Sequence, residues 1–109
     1  MAKVISIDDL RVSPTAALFQ GEGDPPVSIF VTRYSRGQGP QLHLHPYPEV
    51  FVVEAGTAEF TAGDETLTVA AGNIVVVPEQ TPHRFEGAGD DELRVVSVHP
   101  SGTVQQTDL

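Results

Sequence analysis

His43, His45 and Glu49 fall within the seven residues HLHPYPE, and His83 stands farther along in PHRF. Imidazole nitrogen and carboxylate oxygen both hold divalent transition-metal ions; thiolate, the other common donor, is excluded because the chain has no cysteine. Side chains at i and i+2 of a strand share a face, so His43 and His45 point together while Leu42 and Leu44 take the opposite side. Glu49 has the parity of His43, yet on a straight strand it would lie about 20 Å away at ~3.3 Å per residue. No ion spans that gap with bonds of about 2.0–2.2 Å. Pro46 and Pro48 remove the difficulty. Each fixes φ and lacks a backbone donor, so the strand must stop and turn. A reversal through Pro-Tyr-Pro then returns Glu49 to a position opposite the histidines. His83 follows Pro82 and opens another strand, so its backbone is expected to be rigid. His99, taken alone, reads as an ordinary structural or surface histidine.

The elements that must position these residues read as strands. Residues 27–35 (VSIFVTRYS) are rich in β-branched and aromatic types, RGQGP is a turn, and QLHLH alternates polar and apolar. EVFVVEAG (49–56) is a second strong run, and TAEFTA and TLTVA form a hairpin about Gly63-Asp64. NIVVVP, HRFEG and ELRVVSVHP complete the set. Helix signals are weak: DDLRVSPTAALF has room for a turn or two, but Pro14 interrupts it. The tail 101–109, SGTVQQTDL, is polar and is expected to fray or lie on the surface. About eight to ten short strands at this spacing predict an all-β sandwich or barrel, and closure removes exposed edges.

The 109 residues predict a single domain, 1–109, with one core. Fifteen acidic against six basic residues give a net charge of -9, which repels phosphate backbones and anionic lipid. No nucleic-acid or membrane partner is therefore expected. The N-terminal MAKVISIDDL has no long apolar run, so neither a signal peptide nor a span is expected, and the cytoplasm is the expected compartment.

With these residues in view the sequence resembles the cupins. The first cupin motif runs glycine, five residues, His-x-His, three or four residues, glutamate, six residues, glycine. Gly37, His43, His45, Glu49 and Gly56 match every fixed position (motif one, 37–56). The second runs glycine, five, proline, one, glycine, two, histidine, three, asparagine. Gly72, Pro78 and His83 match (motif two, 72–87), while Gln80 replaces the glycine and Gly87 the asparagine. The resemblance implies an antiparallel double-stranded β-helix of two packed sheets, with one divalent metal (Fe, Mn, Ni, Cu or Zn) held inside by His43, His45, Glu49 and His83.

Parity then assigns the walls. Gln41 shares the histidine face, and is either a group hydrogen-bonding the ligands or substrate or an exposed strand-start residue. Phe51 and Val53 share the Glu49 face and Phe85 the His83 face, as pocket wall or plain core. Arg33, Arg36 and Arg94 are carboxylate anchors if any points inward; Arg84 has outward parity. Two functions stay open. One is a metal-dependent enzyme on a small molecule, of dioxygenase, isomerase or decarboxylase type. The other is a non-catalytic module that binds or senses a small ligand. Cupins often pair through sheet edges, so a homodimer is expected.

Overall fold

The computed structural model describes all of residues 1–109. In chain order a 3-10 turn, Ile7–Leu10, precedes eleven strands: β1 Arg11–Ser13, β2 Ala16–Gln20, β3 Ser28–Tyr34, β4 His43–Leu44, β5 Glu49–Ala55, β6 Thr57–Ala62, β7 Glu65–Ala70, β8 Asn73–Val77, β9 His83–Gly87, β10 Leu93–His99 and β11 Thr107–Asp108. They form two antiparallel sheets, one ordered β1-β2-β3-β10-β5-β8 and the other β11-β4-β9-β6-β7. The all-β, two-sheet architecture expected from the sequence is the one observed. The stretch where a short helix had room is instead mostly the β1–β2 hairpin, with Pro14 in its turn. QLHLH yields only a two-residue strand, because the chain must leave the sheet at Pro46.

The core between the sheets follows from period-two alternation. Phe51 and Val53 of β5, Phe60 of β6, Val75 and Val77 of β8, Phe85 of β9 and Leu93 and Val95 of β10 are all buried. Phe60 stacks on Phe85 at a centroid distance of 5.0 Å, and Phe51 meets both edge-on at 5.0 and 5.4 Å. The inward rows change character along their length. On β10 the buried residues run Leu93, Val95, Ser97, His99; on β5 they run Glu49, Phe51, Val53; on β9 they begin His83, Phe85. Because neighbouring strands are antiparallel, the polar ends of these rows gather at one end of the barrel. One end is thus a dry core and the other a polar site.

The two departures from the second cupin motif are accommodated separately. Gln80 takes the motif's glycine position with φ 56, in the left-handed region, and its N–H donates to the His45 carbonyl at 2.8 Å. At Gly87 the turn 35–38 approaches so closely that a Cβ would sit 2.5 Å from the Ser35 carbonyl oxygen. The Gly87 carbonyl accepts from Gly37 N–H and its own N–H donates to the Gln38 carbonyl, at 2.8 and 3.0 Å. Asparagine would not fit there, so its absence goes with the packing of this turn.

Candidate metal centre

His43 and His83 are direct cross-strand partners in β4 and β9 of one sheet, while Glu49 begins β5 of the other. Pro46-Tyr47-Pro48 therefore does more than reverse the chain: it crosses from sheet to sheet. Both prolines stay at the surface and Tyr47 is buried between them. The crossing places Glu49 against the histidines, and all four side chains are buried. Their ligand atoms lie within 4.8 Å of one another.

Backbone carbonyls set the chemistry of the three imidazoles. His43 Nδ1 meets the Gln41 carbonyl at 2.6 Å, His45 Nδ1 the Gln105 carbonyl at 2.7 Å, and His83 Nδ1 the Thr81 carbonyl at 2.8 Å. A carbonyl only accepts, so each Nδ1 carries the proton and donates it. In the neutral rings each Nε2 then presents a lone pair, as a metal ligand must. Glu49 Oε1 lies 3.0 Å from His45 Nε2 and 3.1 Å from His83 Nε2. A lone pair facing a carboxylate oxygen at that distance is repulsive unless a cation sits between or beside them. His45 Nε2, fully buried, makes no well-aligned hydrogen bond. Two atoms each ~2.1 Å from an ion lie about 3.0 Å apart at an octahedral angle and about 3.4 Å at a tetrahedral one. The two separations from Glu49 Oε1 match neighbouring ligands of one ion, and the nitrogen and oxygen donors suit a divalent metal.

Electrostatics agree. Burial pushes the Glu49 carboxyl up, but contacts with His45, His83 and His99 outweigh it and hold the group far below the usual carboxylate range. Burial pulls His45 down, yet Glu49 and the Gln105 carbonyl carry it above the ordinary imidazole value. His43 falls below that value, through burial and through the neighbouring His83 and His45, against the pull of the Gln41 carbonyl. The site keeps a carboxylate ionised in a buried place and draws positive charge towards it.

A cavity of about 90 Å³ adjoins the ligands between the sheets. Phe85 lines it while also belonging to the core. Phe51 and Val53 do not: they lie deeper, in the core, with Phe51 touching the site only through its edge against His83 at 5.9 Å. The Gln41 side chain is exposed, since the chain enters β4 from the surface; the residue serves the site through its carbonyl instead. Arg33, Arg36, Arg84 and Arg94 all face outward, and the cavity contains no cationic side chain apart from histidine. Its other walls include Phe30, Thr32 and Tyr34 of β3 and Ser97 of β10. Burial raises the Tyr34 phenol above its ordinary value, with a Thr15 contact pulling the other way, so it stays a neutral donor.

Two features lay beyond sequence reasoning. His99 is a buried member of the site, its Nε2 3.1 Å from Glu49 Oε2. The polar tail lies on the surface but also works in the site: β11 pairs with β4, the Gln105 carbonyl orients His45, and Gln106 borders the cavity. The usable signal for His99 was its place on the inward row of β10, in line with Ser97.

A two-sheet antiparallel barrel with three histidines and a glutamate converging at one end is the architecture of a metal-binding cupin. The family model for the Cupin domain matches residues 30–99, and the chain belongs to that family. It is 31% identical over 99 residues to an uncharacterised protein of Streptomyces coelicolor, an alignment covering 88% of this chain and 93% of the relative. Among solved structures it is similar to a double-stranded β-helix protein of Klebsiella pneumoniae, with TM-score 0.80, 21% identity and coverage of 99% and 97% of the two chains. It also resembles the oxalate decarboxylase of Lactobacillus farciminis, solved as a formate complex, with TM-score 0.80 and 20% identity. That likeness covers 94% of this chain but only 34% of the decarboxylase. At such identities the two structures establish the shared fold.

Proposed function

We propose that this cupin is a metal-dependent enzyme acting on a small molecule, with the ion held by His43, His45, Glu49 and His83. The observation that carries the reading is the fixed tautomer of three clustered imidazoles, two with Nε2 at 3.0 and 3.1 Å from Glu49 Oε1, beside a cavity. A purely structural metal site is closed by its protein ligands, whereas this one opens onto space for a further molecule. A divalent ion there would leave positions for substrate oxygens or dioxygen and supply Lewis-acid or redox chemistry.

The chain's own residues narrow the substrate. The volume of about 90 Å³ equals the liquid share of roughly three waters. It admits the reacting end of a substrate, and anything larger projects through the mouth. Phe30 and Phe85 give apolar walls; Tyr34, Thr32 and Ser97 bring hydroxyls. Negative charge on a substrate has no lysine or arginine to meet it, so a carboxylate or enolate oxygen must be met by the ion. Isomerase, decarboxylase and dioxygenase chemistry all fit this site. The oxalate decarboxylase neighbour supports the decarboxylase branch by fold alone.

The test is metal analysis of protein purified from its native host, followed by oxygen uptake and product analysis with small hydroxy acids, diketones and phenols. About one ion per chain and turnover lost in His43→Ala is the expected result. Less than about 0.1 ion per chain, with His43→Ala unchanged in uptake and melting, overturns the reading. Stoichiometric metal and tight ligand binding without turnover would make the protein a sensing module instead.

No helix is long and apolar enough to cross a membrane. The cytoplasm is proposed as the compartment, to be checked by fractionation of the native host. We also propose a homodimer through β8, an edge strand whose Ile74 and Val76 are 64% and 63% exposed. A monomer mass by light scattering would contradict it.

A further inference from the structure

Four imidazoles meet at this site, and they are not set alike. His43, His45 and His83 each give the Nδ1 proton to a backbone carbonyl and turn a lone pair inward. His99 Nδ1 faces the Tyr47 hydroxyl at 2.8 Å. The Tyr47 oxygen already accepts the Gln105 N–H at 3.2 Å, and its own hydrogen has no acceptor within reach other than His99 Nδ1. His99 Nδ1 must therefore be the acceptor, which puts the ring proton on Nε2. His99 is 1% exposed and packed edge-on between His45, at 4.7 Å, and Tyr47, at 5.4 Å, so the ring cannot turn to exchange its nitrogens. The Nε2–H ends beside the cavity, 3.1 Å from Glu49 Oε2, off the ideal line but with no other partner.

We infer that His99, held by Tyr47, is a hydrogen-bond donor that positions Glu49 and is not a fifth metal ligand. Its Nε2–H engages Oε2, while Oε1 lies at 3.0 and 3.1 Å from the ligand nitrogens of His45 and His83. An ion held there would meet Glu49 at Oε1, with Oε2 engaged by His99, which would leave a position for substrate. The Gln105 backbone ties the two settings together: its carbonyl fixes His45 as a ligand and its N–H fixes Tyr47, and through it His99, as a donor. This role rests on the metal reading proposed above.

Long-range nitrogen–proton correlation spectra of histidine-labelled wild-type protein, metal-free and Zn(II)-loaded, test the tautomers directly. The expected pattern is Nε2–H at His99 in both states and Nδ1–H at His43, His45 and His83 in the loaded state. A proton on Nδ1 of His99, or a zinc-induced ligand shift at its Nε2, overturns the inference. The Mn(II)-loaded protein gives a second readout. His99→Leu should change the electron paramagnetic resonance spectrum and weaken Mn(II) binding roughly tenfold, while His99→Gln, whose amide can donate to Oε2, should recover most of both. A Leu variant matching wild type in spectrum and affinity overturns the role. Should that variant fail to fold, the wild-type spectra decide. A wild-type protein that binds neither ion defeats the metal reading and the positioning role with it. A protein that binds both ions with His99 protonated at Nδ1 defeats the positioning role alone.

Discussion

Stripping the ion from loaded protein should lower its melting temperature by about 12 °C. A ligand that binds only the folded state stabilises it by RT ln(1 + [L]/Kd), about 2.7 kcal/mol at a hundredfold excess over Kd. For 109 residues at ~2.1 cal/mol/K each, the unfolding entropy is about 230 cal/mol/K, and the quotient is the shift. The ion-free state is poorly compensated where it matters: Glu49 is 3% exposed, and the buried His45 Nε2 has no aligned partner. The assay is calorimetry at fixed free Zn(II) or Mn(II), with a chelator as the stripped reference and Mg(II) as a control that an imidazole-rich site should ignore. His43→Ala and Glu49→Gln should each remove most of the shift. The reasoning fails if wild type shows no ion-dependent shift. It also fails if the two variants keep the shift whole, because the ion would then sit elsewhere, for instance on a surface carrying most of 15 acidic residues.

Other consequences are equally concrete. His45 lies above the ordinary imidazole value in the ion-free protein, so at pH 6.5 Zn(II) uptake should release more than about half a proton from it; calorimetric titration in buffers of different ionisation enthalpy measures this. His43 and Glu49 are both shifted down, so each contributes stability above its unfolded value and loses it on acidification. Denaturant midpoints of the ion-free protein should therefore fall as pH drops from about 6.5 through 4. Restoring the family residues at the two departures from motif two should have opposite effects. Gln80→Gly relieves a left-handed residue, φ 56, and should be neutral or stabilise by up to ~1 kcal/mol after the entropy of the unfolded chain is counted. Gly87→Asn drives a Cβ to 2.5 Å from the Ser35 carbonyl and should destabilise by about 1–3 kcal/mol. Urea melts of both variants give the signs.

The metal cluster was legible because its geometry is mostly local. His-x-His shares a strand face, and the prolines announce that the chain turns before Glu49; only His83 needed a distant strand, and it sits opposite His43 in register. The pocket wall was less legible, because parity says which face of a strand is inward but not how far along the barrel a residue lies. Phe51 and Phe85 both point inward and share the core, yet only Phe85 also reaches the cavity. The outward-facing Gln41 shows a different limit. Strand parity holds only inside a strand, and β4 begins two residues later.

His99 and the tail were hidden for a topological reason. The Tyr47–His99 contact joins residues 52 apart in sequence, and His45 reaches Gln105 across 60. Neither pairing follows from a motif, since both depend on which strand becomes the neighbour of which. Once β10 is placed beside β5, however, the inference becomes short. Val98 pairs with Val50, so His99 must arrive next to Glu49. A buried face that changes from Leu93 and Val95 to Ser97 and His99 cannot continue the hydrophobic core; unpaired polar groups there would cost several kcal/mol. Such a change within one inward row marks where the core ends. In this barrel β5, β9 and β10 make that change at the same end, and that coincidence locates the site independently of the His-x-His motif.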